Sequence, residues 1–242
     1  MRQQTDTGRN LTGISTHPEL IEQMIDGARQ GGSTSPGDAH TLDKIRCADS
    51  ISRAPLGSPP GTPSFKGKAL KGFEMLKGNE PAVLFDKLGE RLAFERSGVR
   101  LYEGLIAKHE VFGSWSEGPS RDDLELFLSE EREHFDMLRR TVEQLGGDPT
   151  AVTPAADAAA VMSEGIFKVI TDPRSTLGES LEGMLVVELA DNDAWEMLCD
   201  LARLYGQDQA ADRFQLALEQ ERDHLSSVRH WVSSHSRHLA RD

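Results

Sequence analysis

Two stretches decide the fold, Leu128–Leu138, LSEEREHFDML, and Leu218–Val228, LEQERDHLSSV. Each carries Glu-x-x-His with apolar residues three and four positions away, so each reads as a helix with a carboxylate and an imidazole on one face. In the first, Glu131 and His134 interrupt an apolar stripe of Leu124, Phe127, Leu128, Phe135, Leu138 and Val142. In the second, Glu221 and His224 interrupt Phe214, Ala217, Leu218, Leu225, Val228 and Val232.

Each stretch is preceded by a helix of matching pattern. FERSGVRLYEGL from Phe94 aligns with VELADNDAWEML from Val187, so Glu95 pairs with Glu188, Tyr102 with Trp195 and Glu103 with Glu196. Glu95 lies among Leu88, Leu92, Val99, Tyr102 and Ile106, and Glu188 among Leu181, Met184, Leu185 and Trp195. The region therefore reads as one helix pair written twice, related by an approximate two-fold axis. The first helix is predicted from Pro81 to Val111, ending before Gly113. The second starts at Ser120, which can cap with Asp123, and stops at Gly146-Gly147. The third runs from about Glu179 to Tyr205, and the fourth follows Gly206 to Trp231 or beyond. Residues 146–178 form a long connection with a short helix near Ala155–Ile170. Two short-loop hairpins joined by one long crossover predict an all-α, antiparallel four-helix bundle over residues 81–242.

Four glutamates on the inner faces of one bundle need a counter-charge, because burying an isolated carboxylate costs several kcal/mol or forces it to take a proton. No Lys or Arg is read on these stripes to neutralise all four. Two divalent cations would do so, and the mix of carboxylate and imidazole suits iron, manganese or zinc better than calcium. The full set, one Glu on each of two helices and Glu-x-x-His on each of the other two, is much more specific than any single member.

The set Glu95, Glu131, His134, Glu188, Glu221 and His224 resembles the ligands of the ferritin-like di-iron carboxylate superfamily, which includes ferritins, bacterioferritins and rubrerythrins. The resemblance covers residues 81–242 and extends to bacterial ferritin-like proteins with a longer N-terminus. It implies Glu95 and Glu188 as terminal ligands, Glu131 and Glu221 as bridges, and His134 and His224 as imidazole ligands to two Fe ions, with Mn or a mixed Fe/Mn pair as the alternative. Asp191, three residues after Glu188, resembles an additional helix-3 carboxylate of rubrerythrins. It is a third oxygen ligand or a partner for a ligand. Asn192 is a further inward polar residue. Tyr102 and Trp195 either pack beside the centre or relay electrons to it.

Three functions are compatible with such a centre. The foremost is an oxidoreductase reacting with O2 or H2O2. It would need a separate electron donor, since two cysteines cannot build a Cys-rich iron module. The others are an iron-storage ferroxidase assembly, and a structural or partner-binding protein whose metal site is vestigial or purely structural. A homo-oligomer, dimer or larger, is expected.

The 242 residues carry 27 basic and 40 acidic side chains, for a net charge of −13. This acidity disfavours nucleic acid as a partner, because phosphate binding needs a basic face. No apolar run suits a membrane span or a secretory signal, and Cys47 and Cys199 make no disulfide scaffold, so a cytoplasmic location is expected. Most of the prolines lie in residues 1–81, which predicts a largely irregular N-terminal extension over residues 1–80. Within it, His17–Arg29 is predicted as a short helix and Ser50–Ser64 as a linker. Phe65–Lys77 is predicted as a basic amphipathic helix that packs on the acidic body or lies on an anionic surface.

Overall fold

The structure is a computed structural model, and it describes residues 18–31, 47 and 82–241. The chain divides into two units, Met1–Ala54 and Pro55–Asp242. In the first, helix α1 spans Pro18–Gly31. It matches the predicted helix, with proline at the first position, where the missing N–H costs nothing. The predicted linker at 50–64 and the basic segment at 65–77 lie outside the described residues.

In the second unit the described residues form five helices: α2 (Ala82–Phe112), α3 (Arg121–Gln144), α4 (Pro154–Thr171), α5 (Leu177–Leu204) and α6 (Asp208–Leu239). No strand occurs among the described residues, so the predicted all-α class holds. None of the described helices is long and apolar enough to cross a membrane.

Local chemistry sets the boundaries. Ser120 and Asp123 form a reciprocal capping box at the start of α3. Thr176 and Glu179 do the same for α5, so that helix begins two residues before the predicted Glu179, which is its third residue. Thr153 caps α4 just ahead of Pro154. Gly206 takes φ +67° after α5, a left-handed turn that sends the chain into α6 within three residues.

The long helices contact one another in a ring: α2 with α3, α3 with α6, α6 with α5, and α5 with α2. Neighbours run antiparallel. Arg121 of α3 pairs with Glu110 of α2, and Arg132 further along pairs with the earlier Glu103. Between α3 and α6, Glu130 meets His224 and Thr141 meets Arg213. Helix α4 lies in the crossover and packs on α2 and α5. Its C-terminal connection is held by Lys108 of α2, whose buried ammonium donates to the carbonyls of Asp172 and Ser175.

Two apolar clusters fill the interior. One is built on Leu84, Leu88, Leu138, Val142, Leu198, Cys199 and Phe214. The other is built on Leu101, Leu105, Leu124, Leu181, Met184, Val228 and Trp231. Each fully buried leucine contributes about 1.5–3 kcal/mol, so these clusters carry the stability. On all four long helices, the stretch between the two clusters is polar.

Candidate metal centre

The polar layer holds Arg91 and Glu95 from α2, Glu131 and His134 from α3, Glu188 and Asp191 from α5, and Glu221 and His224 from α6. None is more than 2% exposed. Helical spacing aims them inward together. On α2 the sequence of buried positions is Leu84, Leu88, Arg91, Leu92, Glu95, Gly98, Leu101, Tyr102. On α6 it is Phe214, Ala217, Leu218, Glu221, His224, Leu225, Val228.

All six of the predicted ligand residues converge. Three overlapping groups could each hold a metal ion, with one atom per residue and all atoms of a group within 4.8 Å of one another. They are Glu131, Glu188, Glu221 and His224; Glu95, His134 and Glu221; and Glu95, Glu131, Asp191 and Glu221. Glu221 belongs to all three.

Each predicted ligand keeps at least one atom that is buried and without a hydrogen-bond partner. These are Oε2 of Glu95, Glu131 and Glu188, both carboxylate oxygens of Glu221, and Nδ1 of both His134 and His224. His134 Nδ1 lies 2.8 Å from Glu221 Oε1, an ion-pair distance when the ring is protonated, but without hydrogen-bond geometry. Leaving so many polar atoms unsatisfied inside a protein costs about 1–3 kcal/mol each, more for charged groups. Their convergence fits a bound cation.

The opposite side of each ligand is tied down. His134 Nε2 lies 3.0 Å from Gln220 Oε1, and His224 Nε2 lies 2.8 Å from Glu130 Oε2. With each Nε2–H donating outward, it is Nδ1 that faces the cluster and would give up its proton to ligate a metal. Gln220 Nε2 also donates to Glu130 Oε1 at 2.9 Å. Tyr102 donates to Glu188 Oε1 at 2.5 Å. Arg91 Nε donates to Glu95 Oε1 at 3.1 Å, and its other arm pairs with Asp191. Gly98 makes room for the Glu131 carboxylate, since a Cβ there would stand 2.1 Å from Glu131 Oε2.

The electrostatics are those of crowded carboxylates. Burial, together with Glu221 and Glu95, pushes Glu131 well above the usual carboxylate range. Burial and Glu221 raise Glu188 to about 8, against the opposing pull of His224 and Tyr102. Burial raises Asp191 in spite of Arg91. Glu221 differs. Burial would raise it, but His134 and His224 together hold it below the usual range. Burial would lower both histidines. Glu221 and Glu95 outweigh it at His134, and Glu130 and Glu221 at His224, so each rises to about 10.

The other sequence-predicted residues separate by role. Tyr102 touches the side chain of Glu188. Asp191 faces Arg91 and can also join Glu95, Glu131 and Glu221 in holding an ion. Asn192 bonds the backbone carbonyls of Glu188 and Glu221, at 3.0 and 2.9 Å, so it straps α5 to α6 and touches no ligand side chain. Trp195 is buried, with its ring 5.6 Å from that of His134. Cys199 sits in the apolar core. Of the C-terminal histidines, His235 is half-buried, with its ring 4.6 Å from that of Trp115.

Sequence reasoning missed Arg91, Glu130 and Gln220. The expectation of no cation on the stripes is corrected at Arg91. Its position four residues before Glu95 was the available signal. Arg91 is shared between Glu95 and Asp191, and the two histidines face Glu221, so the layer still holds more carboxylates than cationic side chains. Glu130 and Gln220 each directly precede a cluster glutamate, Glu131 and Glu221, so the sequence duplication itself pairs them. Comparison of the chain with protein-family models, with curated proteins and with solved structures gave no match.

Proposed function

We propose that residues 81–242 form a ferritin-like four-helix bundle that holds two metal ions, iron foremost, and that the protein is an oxidoreductase reacting with O2 or peroxide. The observation that carries this reading is the convergence of partnerless buried atoms from Glu95, Glu131, His134, Glu188, Glu221 and His224. Two divalent ions would offset the four glutamates while Arg91 offsets Asp191. Glu95 and Glu188 would each serve one ion, Glu131 and Glu221 would be shared, and the histidines would supply one nitrogen each.

Bound ferrous ions would supply the electrons that reduce O2 or peroxide, and the oxygen-rich donor set favours the ferric state that results. The chain's own residues do the rest. Tyr102 fixes the rotamer of Glu188, and the Glu130–Gln220 pair fixes both imidazole tautomers. The apolar clusters above and below keep bulk water from the layer. Electrons for repeated turnover would come from a separate donor.

The test loads the protein anaerobically with Fe2+, removes free metal and counts iron per chain, with a Glu131→Ala/Glu221→Ala variant in parallel. About two irons in the wild type and near none in the variant, followed by O2 or peroxide consumption, is the expected result. Metal retained without consumption would leave a structural centre, and far more than two irons per chain held by a very large assembly would indicate storage. Near zero iron in both proteins would end the metal reading.

A further inference from the structure

The six ligand residues of the centre obey the two-fold relation, and the residues around them do not. Glu95 matches Glu188, Glu131 matches Glu221 and His134 matches His224. Behind them, the equivalent of Arg91 is Met184, and the equivalent of Glu130 is Gln220.

The breaks at the residues bonded to the ligand side chains have one direction, while Asp191, whose equivalent is Gly98, is engaged by Arg91. His224 gives its outer Nε2–H to a carboxylate, Glu130 Oε2, at 2.8 Å. His134 gives its own to a neutral amide oxygen, Gln220 Oε1, at 3.0 Å. A carboxylate behind an imidazole raises the ring's basicity and strengthens it as a ligand, and a neutral amide does so less. On the glutamate side, Glu188 Oε1 accepts from a neutral phenol, Tyr102. Glu95 Oε1 accepts from a guanidinium, Arg91, which also engages Asp191. A cationic donor withdraws electron density from a carboxylate more strongly than a neutral one does. The donors around His224 are therefore the stronger on both counts, and those around His134 the weaker.

We infer that the two cation positions are inequivalent by construction: the position served by Glu188 and His224 fills first and tightly, the position served by Glu95 and His134 fills second and weakly, and Glu130 is the positioning residue that sets the order. This rests on the metal reading above. It gives the protein a defined one-ion state, in which the second position can exchange its ion, or take a different one, while the first is retained.

The experiment titrates the full-length protein with Mn2+ by equilibrium dialysis, with electron paramagnetic resonance at each point. In the wild type we expect two steps separated by at least tenfold in Kd, with an isolated-ion signal at one equivalent that gives way to a coupled-pair signal at two. Glu130→Gln should weaken the tight step by about 10- to 100-fold. Gln220→Glu, made together with Glu130→Gln so that the amide–carboxylate bond between the two is kept in reverse, should strengthen the weak step and narrow or invert the gap. Both residues are half-buried and both changes are isosteric, so the fold is not at stake. His134→Ala should keep the tight step and lose the weak one, and His224→Ala should lose the tight step.

Two ions entering the wild type in one step would overturn the inference while leaving the metal reading intact. So would a tight step that survives His224→Ala and is lost in His134→Ala, or steps that move less than twofold in both isosteric variants. No ion bound to a folded wild type would overturn the metal reading itself, and the inference with it.

Discussion

The α2–α3 hairpin and the α5–α6 hairpin put the same residue types at the six ligand positions, yet the two sets of carboxylates behave differently. Glu131 and Glu221 are sequence equivalents. Glu131 is raised well above the usual range by burial and by its acidic neighbours, whereas two histidines hold Glu221 below it. Glu95 answers to Arg91, and Glu188 to Tyr102. A duplicated pattern thus specifies where ligand-type side chains point. The electrostatic character of each one comes from neighbours that the duplication did not preserve.

The largest break in the symmetry is expected at the two central glutamates. Glu221→Gln in the metal-free protein removes the partner of two buried histidines and should cost about 3–5 kcal/mol, the usual penalty for orphaning one side of a buried ion pair. Glu131→Gln removes a carboxylate that burial and like charges already disfavour, so it should leave the apo protein unchanged or more stable. Urea denaturation of both variants checks this, and equal losses would mean that the two glutamates are equivalent after all.

The pH dependence of stability should be next in size. Glu188, raised to about 8, and His134 and His224, raised to about 10, all bind protons more tightly folded than unfolded. The contribution of Glu188 is full below its unfolded value near 4.5 and fades as pH rises through 8. That of the histidines is full below about 6.5 and fades toward 10. Apo stability should therefore fall from pH 6 to pH 9, by about 1.4 kcal/mol per pH unit for each group titrating in that interval. Metal displaces those protons, so the stabilisation gained on loading should grow over the same range. Thermal melts of apo and Mn2+-loaded protein at pH 6 and pH 9 compare the two. An apo protein more stable at pH 9 would contradict the assignment.

Tyr102→Phe should cost about 1–3 kcal/mol in the apo protein, the usual penalty for leaving a buried acceptor, Glu188 Oε1, without its donor. In the other half, Trp195, the equivalent of Tyr102, has no bond to Glu95 to lose. Calorimetry of Tyr102→Phe against Trp195→Phe separates the two, since the second should register only lost packing. The smallest effect on stability is expected for Gly98→Ala. The added Cβ meets the flexible end of Glu131 at 2.1 Å, so the side chain can swing aside. Melting should move little, but the displaced carboxylate should weaken Mn2+ binding by about tenfold or more. Unchanged binding would show that Glu131 does not need its present place.

Much of this architecture is legible in the residues. Glu131, His134, Glu221 and His224 interrupt apolar stripes at three- and four-residue spacing, which puts them inside before any coordinates are known. Ser120, Thr176 and the glycines mark the helix ends by local chemistry alone. Asp191 and Tyr102 were legible as inward, but not their partners. Arg91 was harder to place. A guanidinium on an apolar stripe can bend its long stem toward water, so spacing alone does not decide whether its charge is buried.

Sequence by itself determined the helices, their inner faces and the surplus of negative charge on those faces, because each depends on periodicity within one segment. Only the tertiary structure decided that Glu130 stands behind His224 and Gln220 behind His134. These contacts cross from α3 to α6 over about ninety residues of chain, and no local rule sets them. They depend on how two helices settle against each other. The same holds for Arg91, whose charge is buried because Asp191 arrives from α5 to meet it.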